Sequence, residues 1–215
     1  IFSAYAIMAA FCTYFCMYAF RKPFAAGTFE GSADLTILPE MDLKILYVIS
    51  QVLGYCLSKF IGIKVISELN AAKRAVAILI VIGVAELALF LFAITPAPWS
   101  ALCLFLNGLP LGMVWGLVFG FLEGRKLSEL LGAGLSASYI VASGVVKSVG
   151  RWLVIEQGIS EYWMPAMVGL IFTIPLIMCV YFLSKLPPPN EEDEALRTRR
   201  APMDGAARRR FIRQF

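Results

Sequence analysis

Six apolar runs, each close to the length of one bilayer crossing, constrain this chain more than anything else in it. A helix needs about 20 predominantly apolar residues to cross the hydrocarbon core of a bilayer. The runs are read as spans Ile1–Phe24, Ile45–Ile66, Ala75–Ile94, Ser100–Leu122, Leu130–Val154 and Trp163–Leu186. Proline punctuates two of them. Thr95-Pro96-Ala97-Pro98 closes the third, and Pro187-Pro188-Pro189 stops the sixth. Hydrophobic residues make up 60% of the 215, and charged residues only 16%. A soluble domain has more charge and more frequent polar breaks. The fold class is therefore an all-α membrane protein, a bundle of six transmembrane helices.

Charge in the connections orients the bundle. The second connection carries Lys73 and Arg74, and the fourth carries Arg125 and Lys126. The segment after Leu186 holds seven arginines and five acids, starting with Asn190-Glu191-Glu192-Asp193-Glu194. The third and fifth connections carry neither Lys nor Arg. By the positive-inside rule the basic connections, the start of the chain and the tail lie in the cytoplasm of a cell membrane, the inner one if bacterial. This divides the sequence into a transmembrane domain, 1–186, and a charged cytoplasmic loop or tail, 187–215. The net charge of +4 comes from loops and tail and is not a nucleic-acid signature. Because the chain opens at Ile1 inside an apolar run, with no basic leader, it reads as a fragment cut within or at the edge of its first helix.

Chemistry of the common enzymatic kinds is not written here. There is no histidine, so the usual general base and metal ligand is missing. Cys12, Cys16, Cys56, Cys103 and Cys179 all fall inside apolar runs without metal-ligand spacing and read as small hydrophobes. No metal site, cofactor or enzymatic activity is expected. On the fourth helix Gly108, Gly112, Gly116 and Gly120 recur every four residues. Such a small-xxx-small face lets a second helix approach closely, and Pro110 within it implies a local kink.

The ionisable residues within spans carry the functional argument, because a charge at bilayer depth is costly unless it faces a cavity or a partner. Tyr14, Tyr18 and Arg21 share one face of the first helix, with Lys22 turned roughly 100° away. Gln51, Tyr55 and Lys59 share a face of the second helix. Tyr139, Ser143, Lys147 and Arg151 do so on the fifth. Arg21-Lys22 also fits a plain interfacial anchor, Lys59 could reach for the inner surface, and Arg151 could anchor its helix at the outer one; Lys64, nearer the cytoplasmic end, reads as snorkelling. Glu86 is the acid in the middle of the third helix, open to readings as an ion-pair member, a protonated carboxyl or a coupling site. Asn107 heads the glycine face. Arg21, Lys59, Lys147 and Arg151 thus stand against Glu86 alone, four cations to one acid. A cavity shared by these stripes would attract a small organic anion, since guanidinium forks and ammonium groups match carboxylate and phosphate oxygens.

On these residues the chain resembles the major facilitator superfamily, and within it the organophosphate:phosphate antiporters that carry glycerol 3-phosphate and sugar phosphates. The likeness rests on Tyr14-x3-Tyr18-x2-Arg21-Lys22-x-Phe24 in the first helix, Gly54-x3-Ser58-Lys59-Phe60 in the second, and Tyr162-Trp163-Met164-Pro165-Ala166 at the start of the sixth. It also resembles a bacterial branch of the superfamily of unassigned substrate. There are departures. Ser143 stands where those antiporters have a site histidine, with Lys147 one turn on. Pro23 replaces a polar residue, and the second connection, Ser67 to Arg74, has lost the superfamily's glycine-rich motif. The resemblance implies half of a twelve-helix fold, with a missing C-terminal six-helix half as partner and alternating access as mechanism. It assigns Arg21 as the main anion clamp, Lys59 and Lys147 as supporting charges, and Tyr14, Tyr18 and Gln51 as a hydrogen-bonding wall. The competing expectations are a transporter-like sensor or a structural membrane protein that binds an anion without moving it.

Overall fold

The structure, a computed structural model, describes residues 2–35, 38–67, 69, 71–123 and 128–187. The tail beyond Pro187, the Arg125–Lys126 pair and the side chain of Lys64 lie outside the described residues. Among those described there are six α-helices: α1 Phe2–Met17, α2 Leu43–Ser67, α3 Ala71–Ile94, α4 Ser100–Phe119, α5 Ser128–Ile155 and α6 Met164–Ser184. Helices α2 to α6 are each long and apolar enough to cross a membrane, and the apolar stretch Ala4–Phe20 is a shorter one. The surface supports the same reading. Phe60, Ile140 and Ile174 are each more than two-thirds exposed, and bare apolar surface on this scale belongs against lipid or another protein.

The first helix departs from its expected course. It was expected to run to Phe24, but α-helix stops at Met17 and gives way to 3-10 turns at Tyr18–Phe20 and Pro23–Ala26. Pro23 supplies the physical reason: it has no N–H for an α-helical bond, and its ring crowds the carbonyl four residues back. A break of this kind frees backbone carbonyls, which cannot be left unpaired at bilayer depth. Two buried side chains take them up. Asn107 Nδ2 donates to the Phe20 carbonyl at 3.0 Å, and Gln51 Nε2 donates to the Arg21 carbonyl at 3.0 Å.

The connection from α1 to α2 contains a hairpin that the apolar pattern gave no sign of. Strand β1, Ser32–Leu35, pairs antiparallel with β2, Leu38–Asp42, with Ser32 opposite Asp42. The Asp42 carboxylate then accepts from the N–H of Lys44 at 2.8 Å and caps α2. This cap starts the helix at Leu43, ahead of the apolar run from Ile45.

Helix packing follows a simple order. Helix α2 lies on α4, α4 on α3, α3 on α6, and α6 on α1, while α1 also touches α4 and carries α5 on its other side. Helix α5 packs along α1, while α2 meets the broken end beyond α1 through Gln51 and Tyr55, and α2 and α5 do not pack along each other. The α2–α4 contact is the tightest. A side chain at Gly108 would collide with the Gln51 carbonyl, and one at Gly112 would meet the Tyr55 carbonyl at 2.7 Å. Gly54 answers from α2, where a Cβ would strike the carbonyl of Phe105. Gly116 lies against Ile66, still in α2, but Gly120 lies just past α4 and meets the Arg74 guanidinium of α3, whose Nη1 donates to the Gly120 carbonyl at 2.6 Å.

Two apolar cores result. The larger includes Ala10, Met17, Ile82, Leu111, Val118, Leu135, Val146 and Leu176. The smaller sits by the hairpin and is largely aromatic, with Phe24, Phe29, Tyr47 and Phe92 buried together and Tyr162 against them. Phe29 stands edge-on to Tyr47, Phe92 and Tyr162, with ring centroids 5.2 to 5.8 Å apart.

Candidate functional site

The broken end of α1 collects the cations. Its geometry follows from the turn geometry just described: past Met17 the α-helical wheel no longer applies, so Arg21 and Lys22 need not diverge as a continuous helix would make them. The Arg21 guanidinium lies over the Tyr55 ring of α2, 3.8 Å from its centroid. The Lys59 ammonium lies over the same ring at 4.8 Å. One aromatic ring thus serves two cations from different elements, an attraction worth about 0.5–2 kcal/mol per contact depending on solvation. Lys22 is half-buried, and the charges of Arg21 and Lys147 are both near enough to act against its own. Lys147, on α5, is itself exposed.

Tyrosines line the same side. Tyr14 and Tyr18 stand edge-on with centroids 5.6 Å apart, and Tyr18 stacks on Tyr139 of α5 at 6.4 Å. Tyr14 is buried and lies within electrostatic reach of Tyr55 and Arg21. Arg21, Lys59, Tyr14, Tyr18, Tyr55 and Tyr139 therefore come together around the broken end of α1, and the Lys147 charge is felt there by Lys22. Among the described residues none of Arg21, Lys22, Lys59 or Lys147 has a carboxylate partner, and the buried Arg21 Nε donates to nothing. Unneutralised cations packed this closely repel one another. An anion placed among them would relieve that repulsion and accept the free N–H.

Other expected site residues fall elsewhere. Gln51 is buried, and its amide nitrogen is committed to the Arg21 carbonyl and to Asn107 Oδ1 at 2.8 Å. It holds the backbone behind Arg21 in place and does not offer its amide nitrogen to a ligand. Asn107 completes that network with a further bond to the Ala85 carbonyl at 3.0 Å, joining α1, α2, α3 and α4. Arg151 is exposed on α5 with no described partner, and Ser143 is half-buried on the same helix. Glu86 is away from the cations, between α3 and α6. It is 8% exposed, and neither carboxylate oxygen has a hydrogen-bond partner. The glycine face, Gly108, Gly112 and Gly116, lies against α2 behind the tyrosine and lysine stripe.

Sequence reasoning had no means of finding the latch at the hairpin end. The Glu161 carboxylate accepts from the N–H of Thr28 at 2.9 Å, from its hydroxyl at 2.8 Å, and from the N–H of Phe29 at 2.8 Å. Phe29 holds a positive φ of 46°, unusual for a bulky residue, and this turns its N–H and ring into place. Partial burial alone pushes the Glu161 carboxyl up. The Phe29 and Thr28 donors and the nearby Lys44 charge outweigh it and hold the carboxyl below its ordinary value. No spacing rule connects residues 28 and 161.

Searches of curated proteins and of solved structures return no match. A family model does match. It covers residues 23–215, which takes in Tyr55, Lys59, Glu86, Asn107 and Lys147 and begins just beyond Arg21, and the chain accordingly belongs to the family of unknown function DUF5690.

Proposed function

We propose that this chain is one half of a major facilitator type transporter that carries a small organic anion, phosphorylated or carboxylated, by alternating access. The observation that carries the reading is the pair of cations, Arg21 and Lys59, on one Tyr55 ring, without a carboxylate partner among the described residues and with an unused Arg21 donor. Arg21 acts as the principal clamp, because its planar fork can hold two anion oxygens at once. Lys59 and Lys147 supply mobile positive charge, and Tyr18, Tyr55 and Tyr139 provide the wall. Gln51 and Asn107 serve as positioning residues that hold the α1 break.

A second six-helix half would dock on the side of the broken α1 end that carries the exposed Lys59 and Lys147, where Ile140, on the Lys147 face of α5, adds exposed apolar surface. The Lys and Arg of the connections support an orientation with the hairpin end outside the cell and the α2–α3 turn in the cytoplasm, across the inner membrane if bacterial. Counterflow in proteoliposomes tests the reading. Vesicles preloaded with phosphate or glycerol 3-phosphate should accumulate labelled substrate, and Arg21→Ala should abolish the uptake. Saturable anion binding without counterflow would replace the transporter by a sensor, and counterflow of glycerol in preference to its phosphate would remove the anion assignment.

A further inference from the structure

The cation cluster leaves one buried ionisable group without a role. Glu86, midway along α3, lines a pocket of about 390 Å³ between α3 and α6. That volume falls in the range of small-molecule sites, which are mostly apolar with a few placed polar groups. The remaining walls are aliphatic and aromatic, with Phe20 and Ile82 at the back and Leu87, Phe90, Leu170 and Ile177 among the rest. Thr173 is the other polar side chain there, and its hydroxyl is turned to the Gly169 carbonyl at 2.9 Å.

Three features make this a built site. The Glu86 side chain is more than nine-tenths buried, and both its oxygens lack partners. Gly169 leaves room for the carboxyl against α6, where any Cβ would overlap it. Leu79, Gly83, Leu87, Leu170 and Ile177 are exposed at the rim, so the mouth opens on an apolar surface of the kind a bilayer covers. No cation from α3, α6 or the turn bearing Phe20 lines the pocket. A carboxylate buried without a hydrogen bond or counter-ion is strongly unfavourable, so the group either holds a proton or takes a cationic partner. The ligand that answers both the charge and the walls is an ammonium group on a compact apolar body.

We propose that the Glu86 pocket binds a hydrophobic amine that reaches it from the lipid phase, at a site separate from the cation cluster on α1. On binding, the Glu86 carboxylate turns from its covered position against Gly169 to accept from the ammonium, and the apolar body fills the space between α3 and α6. The inference does not depend on the anion-transport reading.

The test is equilibrium binding of labelled 1-adamantylamine to the full chain in lipid nanodiscs, with 1-adamantanol as a neutral competitor of the same shape. Two variants separate charge from space. Glu86→Gln keeps the shape and removes the charge. Gly83→Leu fills the pocket from a position where an added Cβ meets nothing within 4 Å. The expected result is saturable binding, displaced by unlabelled amine and not by the alcohol, and weakened by about tenfold or more in each variant, as loss of a charged hydrogen bond or its space implies. Absence of saturable binding, equal binding in Glu86→Gln, or equal competition by 1-adamantanol would overturn the proposal.

Discussion

At the residue scale the decisive partnership is Gln51 with Asn107. Their amides satisfy carbonyls freed where α1 breaks, and so fix the backbone that presents Arg21. Asn107→Leu leaves the Phe20 carbonyl without its donor and one Gln51 amide N–H without its acceptor, while the Ala85 carbonyl, inside α3, keeps its helical bond. Each buried group left unpaired costs about 1–3 kcal/mol. The variant is expected to unfold at distinctly lower temperature than the parent, and also to lose anion binding through displacement of Arg21, read by thermal unfolding and by ligand binding on the same sample. Lys59→Ala should behave differently, with near-parental stability and weaker anion affinity, because Lys59 is exposed and its partner among the described residues is the Tyr55 ring. The spacing in the sequence already put Tyr14, Tyr18 and Arg21 on one side and Tyr55 beside Lys59. It could not distinguish Gln51 from a ligand-facing residue. Period-four spacing says which face a side chain occupies, while the use of Gln51 depends on a helix break contributed by a different element.

At the element scale, the helices α2 to α6 were legible because apolar length and proline stops are local signals. The end of α1 was not, since Tyr18 to Phe24 is as apolar as the helix before it and only Pro23 marks the change. The Glu161 latch was hidden because it joins residues far apart in sequence, and the hairpin β1–β2, though local, because its strands are short and one carries Pro39. Two predictions belong here. Gly112→Leu should separate α2 from α4 and lower the yield of folded protein in detergent, since an added side chain meets the backbone of α2. Leu106→Phe, an enlargement on the exposed side of α4, should not. Equal loss in both would refute close α2–α4 packing. The Glu161 latch carries a pH dependence. Its carboxyl is held below the ordinary glutamate value of about 4.3, so its contribution is complete above that value and is lost as pH falls through the lower folded-state value. Thermal unfolding between pH 7 and pH 3 should therefore fall more steeply in the parent than in Glu161→Gln. The difference should be modest, because the group is partly in contact with solvent.

At the scale of the whole molecule, one architecture accounts for both the apolar exterior and the unpaired cations. Helices pack in the order α2, α4, α3, α6, α1, α5, and the cations and tyrosines gather where the broken end of α1 meets Tyr55 of α2 and where Tyr18 meets Tyr139 of α5. The excess of cations over acids was visible in the sequence, as was the distribution over helices one, two and five. Their convergence depended on helix packing that no single run specifies. The central claim is that an anion completes this cluster through Arg21. Thermal unfolding of the whole protein in nanodiscs, with glycerol 3-phosphate, succinate, glycerol or ethanolamine added in turn, tests it most directly. A ligand that binds only the folded state at about 100 times its Kd adds about 2.7 kcal/mol of stability. The expected result is stabilisation by one or both anions alone, reduced about tenfold or more in apparent affinity by Arg21→Lys, which keeps the charge and loses the fork. Stabilisation by glycerol or ethanolamine equal to that by the anions, or an anion effect undiminished in Arg21→Ala, would contradict it.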